Sequence, residues 1–205
     1  MTNVVRVNNR RYFSKQIDSM FEDRKRVFVD LLRWDLPVSD GRLELDQFDD
    51  EYAVYLIISD SAGNHMGSVR LLRADRPHIL GDLFPYLCAR SVPTDSGTME
   101  ITRLCLSPEL SAAQRLHIRN RLISAMVDYA LAEGVSVFSG VVTARFLSQI
   151  LMMGWRCRSL GTPRMVNGST IGAFHIDIDS ATPRMLQARG IYMPGEINEH
   201  TDIAN

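Results

Sequence analysis

The chain has 205 residues, of which 45% are hydrophobic and 23% charged, and its formal net charge is -1. This composition is typical of a globular protein with one substantial core, and it lacks the strong basic excess of a general nucleic-acid binder. The three cysteines lack CxxC spacing and the histidines are scattered, so we expect a reduced cytoplasmic protein without a metal site. No apolar run reaches the roughly 20 residues of a membrane span, so we expect no membrane partner. We also expect no nucleic-acid partner.

The first half of the chain predicts one helix followed by antiparallel strands. Apolar residues recur at helical spacing over residues 15–33, with Ser14 as a candidate cap. Residues 37–50 are acidic and rich in turn formers, which predicts an ordered loop. The apolar runs 53–58 and 66–72 flank a turn at 60–64 and predict a hairpin. A short helix with a loop over 79–90 and a strand over 98–106 complete this half.

The second half alternates helices and strands. Residues 111–134 give the longest helical pattern, which Gly134 ends. A strand over 135–142, a short helix over 145–153, two closing strands over 155–160 and 170–178 and a last helix over 180–190 follow. This order predicts an α/β fold, a three-layer α/β/α sandwich with a mixed, mostly antiparallel sheet. We expect one domain over residues 1–205, with its core at about 10–180 and a flexible tail at 190–205.

Charged side chains recur inside or beside apolar segments, where they are costly to desolvate unless they pair. Opposite charges in such settings indicate one network that lines a cleft. In the predicted strand 98–106, Glu100 and Arg103 stand three positions apart, and a regular strand would place them on opposite faces. A β-bulge between them would bring both to one side, and bulges are common beside active sites. Each charge alone is also compatible with a purely structural role.

One set of residues resembles, in order and spacing, the signature of the LuxI-type acyl-homoserine lactone synthases: Arg24, Phe28, Trp34, Asp46, Asp49, Arg70, Phe84, Glu100 and Arg103. The resemblance covers about residues 10–180. It implies a fold like that of the GCN5-related N-acetyltransferases and the synthesis of a quorum-sensing signal. The amine of S-adenosylmethionine attacks the thioester of an acylated acyl carrier protein, and the methionyl carboxylate then closes the lactone and expels methylthioadenosine. S-adenosylmethionine is thus a co-substrate, and no permanently bound cofactor is implied.

The resemblance also implies roles for these residues. The rings of Phe28 and Trp34 offer faces to the adenine and, by cation–π attraction, to the sulfonium. Arg24 and Arg103 would hold the substrate carboxylate or order the acidic loop, and Asp46 and Asp49 would bind the amine. Arg70 and Phe84 complete the set that would bind S-adenosylmethionine. Glu100 is the first candidate for the base that deprotonates the amine, Asp46 is the second, and Arg103 belongs to the same catalytic group. Backbone amides near Leu104 would stabilise the oxyanion.

Two further sets follow from the resemblance. The first would line a slot for the acyl chain: Leu122, Ile123, Met126, Gly140, Val142, Leu151, Met152 and Trp155. Gly140 stands where some relatives that prefer 3-oxo chains carry a threonine, so we expect an unsubstituted chain. The second set would dock the acidic acyl carrier protein: Arg115, Arg119, Arg121, Arg145, Arg156 and Arg158. An acyl-CoA donor stays open as an alternative.

Two rival functions remain at this level. A GCN5-related N-acyltransferase that uses an acyl-CoA would carry a glycine-rich pyrophosphate loop, but residues 106–115 contain no glycine. A non-catalytic module that binds a small ligand or a carrier protein would bind S-adenosylmethionine without turnover.

Overall fold

The computed structural model describes residues 1–199, and these form two compact units. One unit contains Met1–Arg70, Arg103–Ala125 and the described residues from Pro194 onward; the other contains Leu71–Thr102 and Met126–Met193. None of the helices within residues 1–199 is long and apolar enough to cross a membrane. That the chain acts as one domain stays a prediction.

The first half of the chain follows the predicted order with one addition at its start. Its elements are β1 (Thr2–Val5), a 3-10 turn (Arg10–Phe13), α1 (Ser14–Arg24), a π-helical segment (Lys25–Leu31), β2 (Val38–Ser39), β3 (Leu43–Glu44), β4 (Val54–Ser59) and β5 (His65–Arg73). The predicted helix over 15–33 is confirmed, although its second half winds more widely than an α-helix. The acidic loop contains the small antiparallel hairpin of β2 and β3.

The second half also matches the predicted order closely. Its elements are α2 (Ile79–Asp82), a 3-10 turn (Pro85–Leu87), β6 (Thr98–Leu106), α3 (Ala112–Glu133), β7 (Val137–Thr143), α4 (Ala144–Leu151), β8 (Arg156–Ser159), β9 (Arg164–Val166), β10 (Ser169–Asp177), α5 (Thr182–Gln187) and β11 (Ile197–Asn198). Sequence periodicity missed β1, β2, β3, β9 and β11, because runs of two to four residues are too short to establish a period.

The strands form a mixed sheet, and the predicted fold class is confirmed. In the first unit, β1 pairs in parallel with β11 and antiparallel to β4. In the second unit, β6 and β7 run parallel, whereas β10 runs antiparallel to β7, β8 and β9. We expected a flexible tail from residue 190, but the pairing of β11 with β1 gives residues 197–198 a fixed partner. The rest of that prediction, residues 200–205, lies outside the described residues.

Each unit has its own apolar cluster. In the first, Ile58, Ile118 and Leu122 pack together, so the start of α3 lies against the sheet. Gly67 makes this close approach possible, because a Cβ there would lie 2.5 Å from Ile118 Cγ2. In the second, Leu80 and Leu87 pack on Ala173 of β10, so the segment that contains α2 covers one face of the strands.

Candidate active site

Arg24 lies at the centre of a buried ion network in the first unit. Its Nε donates to Glu44 Oε2 at 2.6 Å, and its two terminal nitrogens donate to the Asp49 carboxylate at 2.8 and 2.9 Å. The side chains of Arg24, Glu44 and Asp49 are all at most 1% exposed. α1 therefore holds the acidic loop through a bidentate, water-shielded contact of the strong kind that guanidinium and carboxylate make.

Arg70 and Arg103 extend this network to a third carboxylate. Arg70 binds both oxygens of Asp46 at 2.6 and 3.1 Å, and it also lies 2.8 Å from Asp49 Oδ1. Arg103 binds Asp46 Oδ2 at 2.7 Å and Glu44 Oε1 at 3.1 Å. The five predicted charges of this unit therefore meet around one centre, as the sequence indicated.

Glu44 is the member of the network that sequence reasoning missed. Its side chain is 0% exposed and binds both Arg24 and Arg103. A signal for it was present: Glu44 and Asp46 are two positions apart, and residues at that spacing share a face in an extended segment. Glu44 and Asp46 would therefore be expected to point to the same side of this loop, which indicates Glu44 as a partner for the same arginines.

The network shifts the pKa values of Arg24, Asp49 and the neighbouring Tyr55. Burial alone would raise the pKa of Asp49, but the hydrogen bonds and charge of Arg24 outweigh it and hold that pKa well below the usual range. Burial alone would lower the pKa of Arg24, yet Asp49 and Glu44 raise it overall. Burial and the Asp49 charge together raise the pKa of Tyr55, whose hydroxyl donates to Asp49 at 2.9 Å. Asp49 is therefore an anchor and a poor proton acceptor.

The backbone is irregular where Arg103 joins the network. Arg103 has φ +48°, the left-handed region that non-glycine residues seldom occupy, inside β6. This conformation departs from the extended backbone of a strand. That a bulge brings Glu100 and Arg103 to the same side of β6 stays a prediction. Strained residues persist where surrounding contacts hold them, and two carboxylates hold this one.

An aromatic pair lies in the same unit. Phe28 and Trp34 stack with their ring centroids 5.1 Å apart and their planes at 14°, and the Arg103 guanidinium lies 5.7 Å from the Phe28 centroid. Trp34 is 42% exposed, so it does not fill a core position. Arg33 with φ +58° and a hydrogen bond from Trp34 N to Phe28 O form the turn that folds the indole back. The pair offers an accessible aromatic surface.

Glu100 and Phe84 belong to the second unit. The Glu100 side chain is buried and accepts hydrogen bonds from the backbone amides of Ile79 at 2.7 Å and Leu80 at 2.9 Å. It therefore holds the start of α2. Phe84 is half-buried against the Leu80 cluster, with its ring edge-on to Tyr86.

The residues expected to line an acyl slot divide into two groups. Leu122 and Ile123 in the first unit are buried, as are Met126, Gly140 and Trp155 in the second, and Val142 is half-buried. Met152 is 78% exposed and Leu151 is 38% exposed. Both lie at the C-terminal end of α4 and are exposed to solvent, so they do not line an enclosed slot.

The arginines expected to dock a carrier protein are less available than the sequence suggested. Arg115 donates to the carbonyls of Leu110 and Pro108 at 3.2 Å, and Arg119 binds Asn120. Arg156 pairs with Asp179. Arg115 and Arg119 are thus engaged near the start of their own helix, and Arg156 is engaged by a carboxylate that follows β10. Arg145 and Arg158 are exposed, and Arg121 is half-buried.

A second buried polar cluster was not predicted. His65 Nδ1 lies 2.8 Å from Asp23 Oδ2, and His65 Nε2 lies 2.9 Å from Ser68 Oγ. Burial alone would raise the pKa of Asp23, but its hydrogen bonds to His65 and Ser107 lower it overall. Ser68 is only 1% exposed, so the cluster ties α1 to β5 and is not an accessible nucleophile. Asp23 immediately precedes Arg24 in the chain, and Ser68 stands two residues before Arg70.

Comparisons with known proteins identify the family of this chain. The family model described as autoinducer synthase matches residues 8–186. The chain is 32% identical to an acyl-homoserine-lactone synthase of Ralstonia nicotianae over 164 residues, which cover 78% of this chain and 80% of the relative. The solved structure of BjaI, a CoA-dependent acyl-homoserine lactone synthase, with SAM and isopentyl-CoA matches with 27% identity and a TM-score of 0.86, covering 97% of this chain and 92% of that chain.

A more distant structure agrees in fold only. A putative N-acetyltransferase from Lactobacillus plantarum is 13% identical, with a TM-score of 0.56 over 87% of this chain and 99% of that chain. The family match spans most of the chain and includes every charged and aromatic residue of the sites described above. The chain belongs to the autoinducer synthase family.

Proposed function

We propose that this protein is an acyl-homoserine-lactone synthase. It joins an acyl group from a thioester donor to the amine of S-adenosylmethionine, closes the lactone and releases methylthioadenosine, and the product serves as a quorum-sensing signal. One observation carries the proposal: the buried network of three arginines and three carboxylates lies in the same unit as the stacked, partly exposed Phe28–Trp34 pair. The family membership supports it.

The chemistry of S-adenosylmethionine matches these groups. The exposed indole face of Trp34 and the ring of Phe28 suit the adenine and the sulfonium, which aromatic faces attract. Asp46 is the least tightly enclosed carboxylate of the network, with 7% of its side chain exposed, and it is the member placed to bind an ammonium. Arg24 and Asp49 instead hold the loop that carries Asp46, so they act as positioning residues.

We propose Glu100 as the base and Asp46 as the second candidate. Both Glu100 oxygens accept an amide hydrogen bond, so the carboxylate is held in one orientation. If Glu100 is the base, Glu100→Gln should lose kcat while keeping affinity for S-adenosylmethionine. If Asp46 is the base, Asp46→Asn should lose kcat and also weaken that affinity, because Asp46 is the residue proposed to bind the ammonium. Full activity of Glu100→Gln would remove Glu100 from this role.

The acyl chain we propose is unsubstituted at its third carbon. A Cβ at Gly140 would lie 2.7 Å from Phe174 Cζ and 2.8 Å from the Ile101 carbonyl oxygen. No side chain, and hence no hydroxyl for a 3-oxo group, fits at this position unless both Phe174 and the Ile101 backbone move. Phe174 itself is buried and carries no hydrogen-bonding group.

We propose two candidates for the donor, acyl carrier protein and acyl-CoA. Two observations support acyl-CoA: half of the expected docking arginines are engaged by other groups of the chain, and BjaI, which the fold matches along nearly its full length, is CoA-dependent. Strong salt dependence of the donor KM is expected for the carrier protein, because docking would be electrostatic.

The decisive experiment supplies purified protein with S-adenosylmethionine and matched donors, namely hexanoyl, 3-oxohexanoyl and isovaleryl chains on acyl carrier protein and on CoA. Mass spectrometry of the lactones and of methylthioadenosine identifies the chain and the donor together. Trp34→Ala serves as the variant impaired in the binding of S-adenosylmethionine. Acyl transfer to another amine without lactone would favour the N-acyltransferase, and binding of S-adenosylmethionine without turnover would favour a binding module.

A further inference from the structure

A row of polar side chains crosses four neighbouring strands of the second unit. Glu100 of β6 pairs with Ser139 of β7, Ser139 pairs with His175 of β10, and His175 pairs with Arg158 of β8. Directly paired residues project from the same face, with Cβ atoms about 4.5–5.5 Å apart. The register therefore places Ser139 between Glu100 and His175, although the three are far apart in the sequence.

Two atoms of this row are buried without a hydrogen-bond partner. Among residues 1–199, Ser139 Oγ and His175 Nδ1 have none, and these two residues are 0% and 8% exposed. Buried polar atoms almost always have partners, and a catalytic role is one of the few reasons for an exception. Here two such atoms come from side chains that face each other across paired strands.

The far side of His175 is oriented by a carboxylate. His175 Nε2 lies 2.9 Å from Asp177 Oδ1 on the same strand. When Nε2–H donates to Asp177, the neutral imidazole carries its lone pair on Nδ1, the buried atom that lacks a partner. An imidazole held by a carboxylate in this way is ready to accept a proton at its other nitrogen.

His175 also lines a cavity of about 670 Å³. Arg90, Ser91 and Asp95 form part of its wall and are exposed to solvent. Three charged side chains line it with His175, namely Arg90 and Asp95 from the segment before β6 and Arg158 from β8. With Asp177 on β10 and Glu100 across Ser139, these are the charged groups that face His175. A proton that reaches His175 therefore has a route to solvent.

We propose that Ser139 and His175 carry to this cavity the proton that Glu100 takes from the amine. The inference rests on the proposed function, with Glu100 as the base. Once the Ser139 side chain has rotated to hydrogen-bond both neighbours, protonated Glu100 passes its proton to Ser139 Oγ as the Ser139 hydroxyl proton moves to His175 Nδ1. The imidazolium then gives its Nε2 proton, by way of Asp177, to water in the cavity, and Glu100 is again a carboxylate. The ring exchanges its Nδ1 proton for one on Nε2 before the next turnover, and the amides of Ile79 and Leu80 keep the Glu100 carboxylate in place.

Two variants test the relay in the complete enzyme. Ser139→Ala removes only a hydroxyl, and His175→Ala opens space beside the cavity for imidazole. Each should lower kcat for lactone formation on the order of 10- to 100-fold, while KM for S-adenosylmethionine stays within about twofold. The solvent deuterium isotope effect on kcat should rise in both. Imidazole in the buffer should restore part of the activity of His175→Ala and none of that of Ser139→Ala. His117→Ala, an exposed change on α3, should match the parent protein.

Several results would overturn the relay. An unchanged kcat in Ser139→Ala would do so, as would a loss in His175→Ala that is accompanied by a collapse of the melting temperature and not relieved by imidazole. If His175→Ala does not fold, the isotope effect in Ser139→Ala decides alone. The parent protein separates this outcome from failure of the proposed function: a parent that makes no lactone from any donor refutes both, whereas an active parent with unaffected variants refutes only the relay.

Discussion

The Arg24 guanidinium reaches its partners across 20 residues of chain to Glu44 and 25 residues to Asp49. Each of these groups would be expensive to bury alone, and each is tolerable because the others are present. A single substitution therefore does more than remove one contact: it leaves the opposite charge buried and unpaired. This asymmetry makes the network sensitive to changes that conserve shape and remove only charge.

Glu44→Gln tests the member that the sequence did not reveal. It keeps the volume of the side chain but leaves Arg24 and Arg103 with less negative charge, so we expect a loss of about 3–5 kcal/mol in unfolding free energy. Urea denaturation followed by circular dichroism measures it. Glu22→Gln, which removes an exposed partner of Arg42, is the matched control and should cost less than about 1 kcal/mol. Equal, small losses in both variants would contradict the network's role in stability.

Gly140 and Phe174 form a second single-residue test. Gly140→Thr places a Cβ 2.7 Å from the Phe174 ring, so we expect destabilisation of about 1–3 kcal/mol. Adding Phe174→Leu should recover part of that loss, and the double variant should accept 3-oxo donors better relative to unsubstituted ones than the parent does. Thermal melts and donor competition measure the two effects. A stable single variant would show that the space at Gly140 is wider than the structure indicates.

At the scale of elements, the π-helical segment Lys25–Leu31 and the left-handed Arg33 act together. The wide winding continues α1 past Arg24, and the turn at Arg33 reverses the chain so that Trp34 stacks on Phe28. Phe28 is thus the buried ring that fixes the stack, and Trp34 is the exposed ring that can contact a ligand. Helical periodicity in the sequence predicted the helix but not this ending.

Trp34→Ala should separate ligand binding from folding. Because the indole is 42% exposed, we expect little loss of stability, whereas affinity for S-adenosylmethionine should fall roughly 3- to 30-fold through loss of the cation–π contact. Calorimetric titration with the ligand and a thermal melt give the two numbers. Tyr52→Ala removes a similarly exposed aromatic ring elsewhere in the unit and should leave affinity unchanged. Equal affinity of Trp34→Ala and the parent would exclude the stack from the binding site.

For the whole molecule, buried carboxylates predict the response to acid. The pKa values of Asp49 and Asp23 are below the usual range, so the unfolded chain takes up protons there before the folded one does. Their contribution is fully present above the ordinary Asp pKa of about 3.9, and it is lost as the pH falls from there towards the lowered values. We expect the urea midpoint to fall steeply below about pH 4. Asp49→Asn should lower stability at pH 7 and flatten that acid slope. A parent midpoint that is flat to pH 2.5 would contradict this.

The sequence by itself determined the elements and the inventory of charges. Helical spacing in 15–33 and 111–134 and the apolar runs of β4, β5 and β6 depend on neighbours within a few residues, so local patterns identify them. The signature from Arg24 to Arg103 likewise carries the family, because order and spacing are properties of the chain. The same patterns left out the short strands at both ends, whose existence depends on a distant partner.

Only the tertiary structure decided which charges meet and which side chains face each other. The inclusion of Glu44 in the network, the exposure of Met152 and the engagement of Arg115 with backbone carbonyls are not encoded in any local period. The row from Glu100 through Ser139 to His175 exists because of strand register, and a shift of one residue would send Ser139 to the other face. Register and ion pairing are settled by contacts between residues remote in the chain, so they become visible only when the chain is folded.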